Sequence, residues 1–160
     1  MAGMKLKRAI TFDEKTFAEN VFQNTLPWDK IIISNTIGAQ DRQYVTPELK
    51  YGGGWIMHLG PQMYGGATLT YYSHVFIHEL THVWQSYHSP IKWRYVANSM
   101  CQQILLMKGA KAYDYEAGFA WNHYNAEQQA QIVMEWYEWG MWEHDERYEY
   151  IRDHIRKGIN

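Results

Sequence analysis

Residues 78–82 read His-Glu-Leu-Thr-His, two imidazoles four positions apart with a carboxylate next to the first. On a helix that spacing is about one turn, so both rings can reach a single metal ion. Glu79 sits between them, where it can take a proton from a water polarised by the ion. These are the parts of a zinc-dependent hydrolase: His78 and His82 as metal ligands, Zn2+ as the cofactor and Glu79 as the catalytic base.

A catalytic zinc takes three protein ligands and leaves one position open. His88 lies ten residues after His78, the offset of the pattern H-E-x-x-H-x-x-G-x-x-H. That pattern turns sharply at its glycine, where this chain has Gln85. If the helix instead continues, His88 lies about 9 Å further along the axis than His82, too far to share the ion. The competing ligand is an acid on a later helix, and the candidates are Asp114, Glu116 and Glu127. Glu127 is favoured because it opens a strongly patterned helix that can aim it back at the first. Ala130 on the same face lets two helices approach closely. Glu116 ranks next, and His88 stays as an alternative. A developing oxyanion needs a hydrogen-bond donor, and Tyr124, His123 and Tyr71 are candidates by nearness in sequence or by helix face. His58 and His74 read as structural. No G-x-S-x-G run occurs, and Cys101 lies in an apolar stretch, so a Ser or Cys nucleophile has no support.

The elements that must position these residues follow from local patterns. Thr11-Phe12-Asp13-Glu14 reads as a capping box opening a short helix with Phe17 and Val21 on one face, closed by Pro27. Ile31-Ile32-Ile33 reads as a buried strand, and residues 55–59 as a second, either a sheet edge for an extended peptide or an ordinary interior strand. Residues 38–54, polar and rich in glycine, read as a loop, and Gly60-Pro61 and Gly65-Gly66 punctuate the run that follows. The strongest helix spans 71–88. There Phe76, Leu80, Val83 and Tyr87 fall within about 60° of one another, and the two histidines lie roughly 150° away. Ser89-Pro90 stops it. Further helices are expected over 96–108, over 126–139 with Asn125 as cap and Ile132 and Trp136 inward, and over 144–157 with Tyr148, Ile151 and Ile155 on one face. The fold class is therefore α+β, mostly helical with a small sheet, the histidine motif on a central helix, and residues 1–160 as a single domain.

The run Phe76-Ile77-His78-Glu79-Leu80-Thr81-His82-Val83-Trp84-Gln85, followed by Tyr124-Asn125-Ala126-Glu127-Gln128-Gln129-Ala130, resembles small bacterial zincin-like metallopeptidase domains of the gluzincin type. Ile33-Ser34-Asn35-Thr36-Ile37-Gly38 is similar too, and the resemblance covers residues 30–135. Such domains stand alone or form the C-terminal toxin domains of type VI secretion spike proteins. The resemblance implies a zincin-like fold, His78, His82 and Glu127 as zinc ligands, Glu79 as base, and a peptide or protein substrate. It further implies an antibacterial effector with a secretion spike or an immunity protein as partner. The alternative is a zincin scaffold that binds zinc and a protein partner without hydrolysis.

Composition limits the remaining classes. At 160 residues with 46% apolar content the chain has the size and material for one globular core. Its 8 Trp and 13 Tyr suit both a core and a binding cleft. A net charge of −2 without a basic run argues against nucleic acid as partner. The single Cys101 excludes an intrachain disulfide and a cysteine-built zinc cluster. The charged residues at 5–14 give way to no apolar stretch, so neither a signal peptide nor a membrane segment is expected. Synthesis in the cytoplasm is expected, and the resemblance implies signal-independent secretion, with the producing cell and a target-cell periplasm both open as the place of action.

Overall fold

A computed structural model describes residues 4–48, 53–90 and 113–160. The helix expected over 96–108, and Cys101 with it, lies outside the described residues. Four strands form one sheet: β1 (Lys7–Ala9), β2 (Ile31–Ser34), β3 (Tyr44–Pro47) and β4 (Trp55–His58). Their order is β1-β2-β4-β3, with β2 and β4 parallel and both outer pairs antiparallel. Among the described residues four helices of six residues or more accompany it: α1 (Phe12–Phe22), α2 (Ser73–His88), α3 (Ala126–Glu138) and α4 (Tyr148–Asp153). The architecture is α+β with a small sheet, and no described helix is long and apolar enough to cross a membrane.

The parallel register sets Ile31 beside Trp55 and Ile33 beside Met57, and Val45 pairs with Met57 on the other side. Strand side chains alternate faces, so these five share one face, and all are buried in the core. The Trp55 indole N–H donates to Ser86 Oγ at 2.9 Å and so ties that face to α2. From Phe76 to Ser86 every residue of α2 is buried. Phe76, Leu80 and Val83 are fully buried as the apolar stripe requires, but Tyr87, in the last turn and edge-on to Trp55, is 40% exposed. The opposite, polar face of α2 is covered by α3, where the fully buried Ala130 lets the two helices approach.

Several boundaries differ from expectation for local reasons. Residues 38–54 include β3, since Tyr44-Val45-Thr46 are good strand formers, and Pro47 is tolerated because β3 is an edge. β4 is not an edge but lies between β2 and β3. The short, charged β1 gave no alternation to read. It is held by Arg8, whose guanidinium grips Glu14 twice at 2.7 Å. Glu14 also closes the capping box with Thr11 at the start of α1. Burial alone would raise the Glu14 carboxyl, but the Arg8 and Thr11 bonds reverse this and hold it below the usual range. α1 ends at Phe22, where Gln23 takes φ 52°, before Pro27 is reached. α2 begins at Ser73, because the backbone breaks at Tyr72 after a separate helical turn over Thr68–Tyr71. The terminal helix shrinks to α4 plus a turn over Ile155–Lys157, since Asp145 accepts bonds from the Arg147 backbone and guanidinium and folds 144–147 as a turn. Ile151 and Ile155 are fully buried, and the Ile155 carbonyl accepts from the Trp84 indole at 3.0 Å.

His58 belongs to the outer sheet face. Its ring stacks on Tyr44 at 4.2 Å, its Nε2 lies 2.8 Å from Thr46 Oγ1, and its Nδ1 bonds the Thr36 hydroxyl. Burial, then the charges of Lys7 and Lys5, lowers its pKa to about 4. The unfolded chain therefore takes up this proton first as pH falls. Stability is unaffected by the group above pH ~6.5, declines between ~6.5 and ~4, and levels off below that. A His58→Asn variant should lose stability less steeply than wild type over that interval, measured as melting temperature against pH. Parallel curves would exclude the effect.

Candidate metal centre

α2 presents His78 and His82 one turn apart with Glu79 beside them, and α3 presents Glu127 in its first turn. The start of α3 is fixed by a reciprocal capping box: Gln128 N donates to Asn125 Oδ1 at 2.9 Å, and Asn125 N to Gln128 Oε1 at 3.0 Å. The first turn of a helix favours a carboxylate, which is what stands there. His78, His82 and Glu127 converge as a group whose ligand atoms could hold a metal ion. His82 Nε2 lies 3.2 Å from His78 Nε2, and Glu127 Oε2 lies 3.3 Å from His78 Nε2 and 3.4 Å from His82 Nε2. Bonds of 2.0–2.1 Å to a tetrahedral zinc require ligand atoms about 3.3–3.4 Å apart, the edge of the tetrahedron. The donor set and its triangle therefore fit a tetrahedral ion with three protein ligands.

The electrostatics are those of buried charges that depend on one another. Burial opposes a charge on His82, but the Glu127 carboxylate outweighs it and raises the pKa to about 9. Glu127, 1% exposed, is held well below the usual carboxylate range by His82 and His78 in spite of its burial. Glu79 is pushed up, chiefly by burial, and its Oε2 has no hydrogen-bond partner among the described residues.

The other candidates stand apart from this triangle. His88 Nε2 donates to the Thr25 carbonyl at 2.7 Å, and its ring packs on Trp84 and Gly158, because α2 continues straight to its end. Glu116 and Asp114 are exposed, and neither joins the cluster. The Tyr124 hydroxyl donates to the Glu116 carbonyl and accepts from Phe119 N, so packing occupies it. His123 stacks on Phe119 at 4.6 Å, and Tyr71 is 73% exposed. His74 lies 3.9 Å from Glu138 at the surface.

Three residues at the site were not singled out by their own pattern. Gln85 is fully buried and its Oε1 lies 2.9 Å from His82 Nδ1. Its place three residues after His82, on the same helix face, was the signal available. The Tyr113 ring lies 6.1 Å from that of His78. Burial and then Glu127 push the Tyr113 phenol up to about 12, against the opposing charge of Arg42. Arg42 itself carries a buried Nη1 without a partner among the described residues. Nothing local marks Tyr113 or Arg42, since both lie far from His78 in the sequence.

A metal can take the His82 lone pair only after the imidazolium has given up its proton. Zinc binding should therefore release close to one proton at pH 7.5, about half of one at pH ~9 and almost none above pH ~10, read by calorimetry in buffers of different ionisation enthalpy. For the metal-free protein, the raised His82 value makes the stabilisation by Glu127 complete below pH ~6.5 and lost as pH rises through about 9. Proton release that stays constant from pH 7 to 10 would exclude this coupling.

No protein family profile matches the chain, and no solved structure matches it. The chain is similar to the type VI secretion system spike protein VgrG2b of Pseudomonas aeruginosa, with 29% identity over 140 residues. The match takes in 81% of this chain and 13% of the spike protein, so the chain corresponds to a small part of that relative.

Proposed function

We propose that the chain is a zinc metallopeptidase of the gluzincin type, with His78, His82 and Glu127 as ligands, acting as an antibacterial effector of type VI secretion. One observation carries the reading. A buried carboxylate oxygen without a partner, Glu79 Oε2, stands beside a triangle of donors with the edge lengths of a zinc site. A buried acceptor left unsatisfied is costly, and in a native structure it points to a proton or ligand that the site handles. The likeness to a spike protein supports the secretion context, and the reading adds a spike or an immunity protein as partner and the target-cell periplasm as the place of action.

When bound, zinc polarises the scissile carbonyl and eases ionisation of the attacking water. The chain's own residues do the rest. Glu79 accepts the proton from the water and returns it to the leaving amine. Its upward shift suits this task, because a base works best when its pKa approaches the working pH. Tyr113, held protonated at neutral pH, donates a hydrogen bond to the oxyanion as it forms. The unpartnered Arg42 Nη1 is a donor for a carbonyl or carboxylate of the peptide.

Glu79→Gln should keep the fold and one bound zinc while lowering peptide hydrolysis about 10²–10⁴-fold. Retained turnover would refute the base. Directed to the periplasm of a bacterial host, wild type should be toxic and Glu79→Gln harmless. Equal toxicity of the two would favour a zinc-binding module that acts through a partner.

A further inference from the structure

Gln85 joins two of the three ligand-bearing positions through one buried amide. Its Oε1 lies 2.9 Å from His82 Nδ1, and its Nε2 donates to the Ala126 carbonyl and to Gln129 Oε1, both at 2.9 Å. Gln129, 2% exposed, donates in turn from its own Nε2 to the Trp121 carbonyl at 3.0 Å. The direction of every bond in this chain is forced. A backbone carbonyl only accepts, so the amide nitrogen of Gln129 must face Trp121 and that of Gln85 must face Ala126. Gln85 Oε1 is then the atom that meets His82, and it too only accepts. The proton between them must sit on His82 Nδ1, which leaves Nε2 as the ring nitrogen facing His78 and Glu127. Ala126 is the residue before Glu127, so the same amide holds the backbone from which Glu127 projects. Among the described residues the Nδ1 of His78 has no such partner.

We infer that Gln85 is a positioning residue of the metal centre. Its amide, oriented by the Ala126 and Trp121 carbonyls, fixes His82 in the Nδ1–H form and sets the start of α3 that aims Glu127. The inference rests on the reading of His78, His82 and Glu127 as zinc ligands. His82 is then preset before metal arrives, and His78 completes the set. Partners of this kind orient a ligand ring and raise its basicity.

The test is zinc affinity, by competition with a chromophoric chelator, together with 15N spectra of the histidine rings in the zinc-loaded protein. Gln85→Met, similar in volume but without the hydrogen bonds, should weaken zinc about 10–100-fold at unchanged stoichiometry. Gln85→Glu still accepts from His82 but no longer donates to the Ala126 carbonyl, so it should recover only part of that loss. In wild type the His82 Nδ1 proton should be present and slow to exchange, and in Gln85→Met it should exchange rapidly. Equal affinity of wild type and Gln85→Met would overturn the inference and leave the zinc site standing. Failure of wild type to bind zinc would overturn both. If Gln85→Met does not fold, the wild-type spectrum decides: a proton on Nε2 of His82 refutes the positioning role, and a hydrogen-bonded Nδ1 proton upholds it.

Discussion

Everything in this structure turns on the seam between the polar face of α2 and the first turn of α3. Glu79, His82 and Glu127 are each less than a tenth exposed, and taking ionisable groups from water costs several kcal/mol apiece unless they are paired. Glu127 and His82 offset that cost for one another, and the amides of Gln85 and Gln129 close the remaining valences around His82. The seam is polar and buried. Its geometry has to be built by the elements around it.

Those elements converge on α2 from every side. The sheet reaches it through its apolar face and the Trp55–Ser86 bond, and the chain terminus reaches it through the Trp84–Ile155 bond. α2 is therefore buried over most of its length, unlike a surface helix with one apolar stripe. A helix clamped in this way holds its side chains in fixed rotamers, which a metal site needs more than stability alone. The start of α3 is as firmly held, by its capping box and by Gln85. The middle of α2 and the first turn of α3 carry the three groups that could hold a metal, and no loop is asked to aim one.

Three buried side-chain polar atoms among the described residues lack a hydrogen-bond partner: Trp28 Nε1, Arg42 Nη1 and Glu79 Oε2. Trp28 has no evident relation to the site. The other two carry opposite charge, and both act on Tyr113, which neighbours His78. Unsatisfied polarity concentrated around one seam is the mark of a surface shaped for something other than folding.

Much of this was legible in the sequence, because it depends on contacts between near neighbours. The capping boxes at Thr11 and Asn125, the isoleucine strand, the helix through 82 and its stop at Ser89-Pro90 are all set within a few residues. So is the pairing of His78 with His82, since helix pitch alone places them on one face. The strands β1 and β3 were not legible, because an edge strand is defined by the partner that receives it, and theirs lie far along the chain. The meeting of Glu127 with the histidines was a choice among acids in the sequence. The fold decides it, through a small Ala130 that lets α3 close on α2 while Glu116 and Asp114 stay at the surface. Gln85 shows the division most clearly. Its sequence position puts it on the face of His82, but its role exists only because the Ala126 carbonyl, 41 residues away, turns its amide around. Local spacing can specify which groups share a helix face. Only tertiary packing can specify what each of them meets, because that depends on the other elements buried against it.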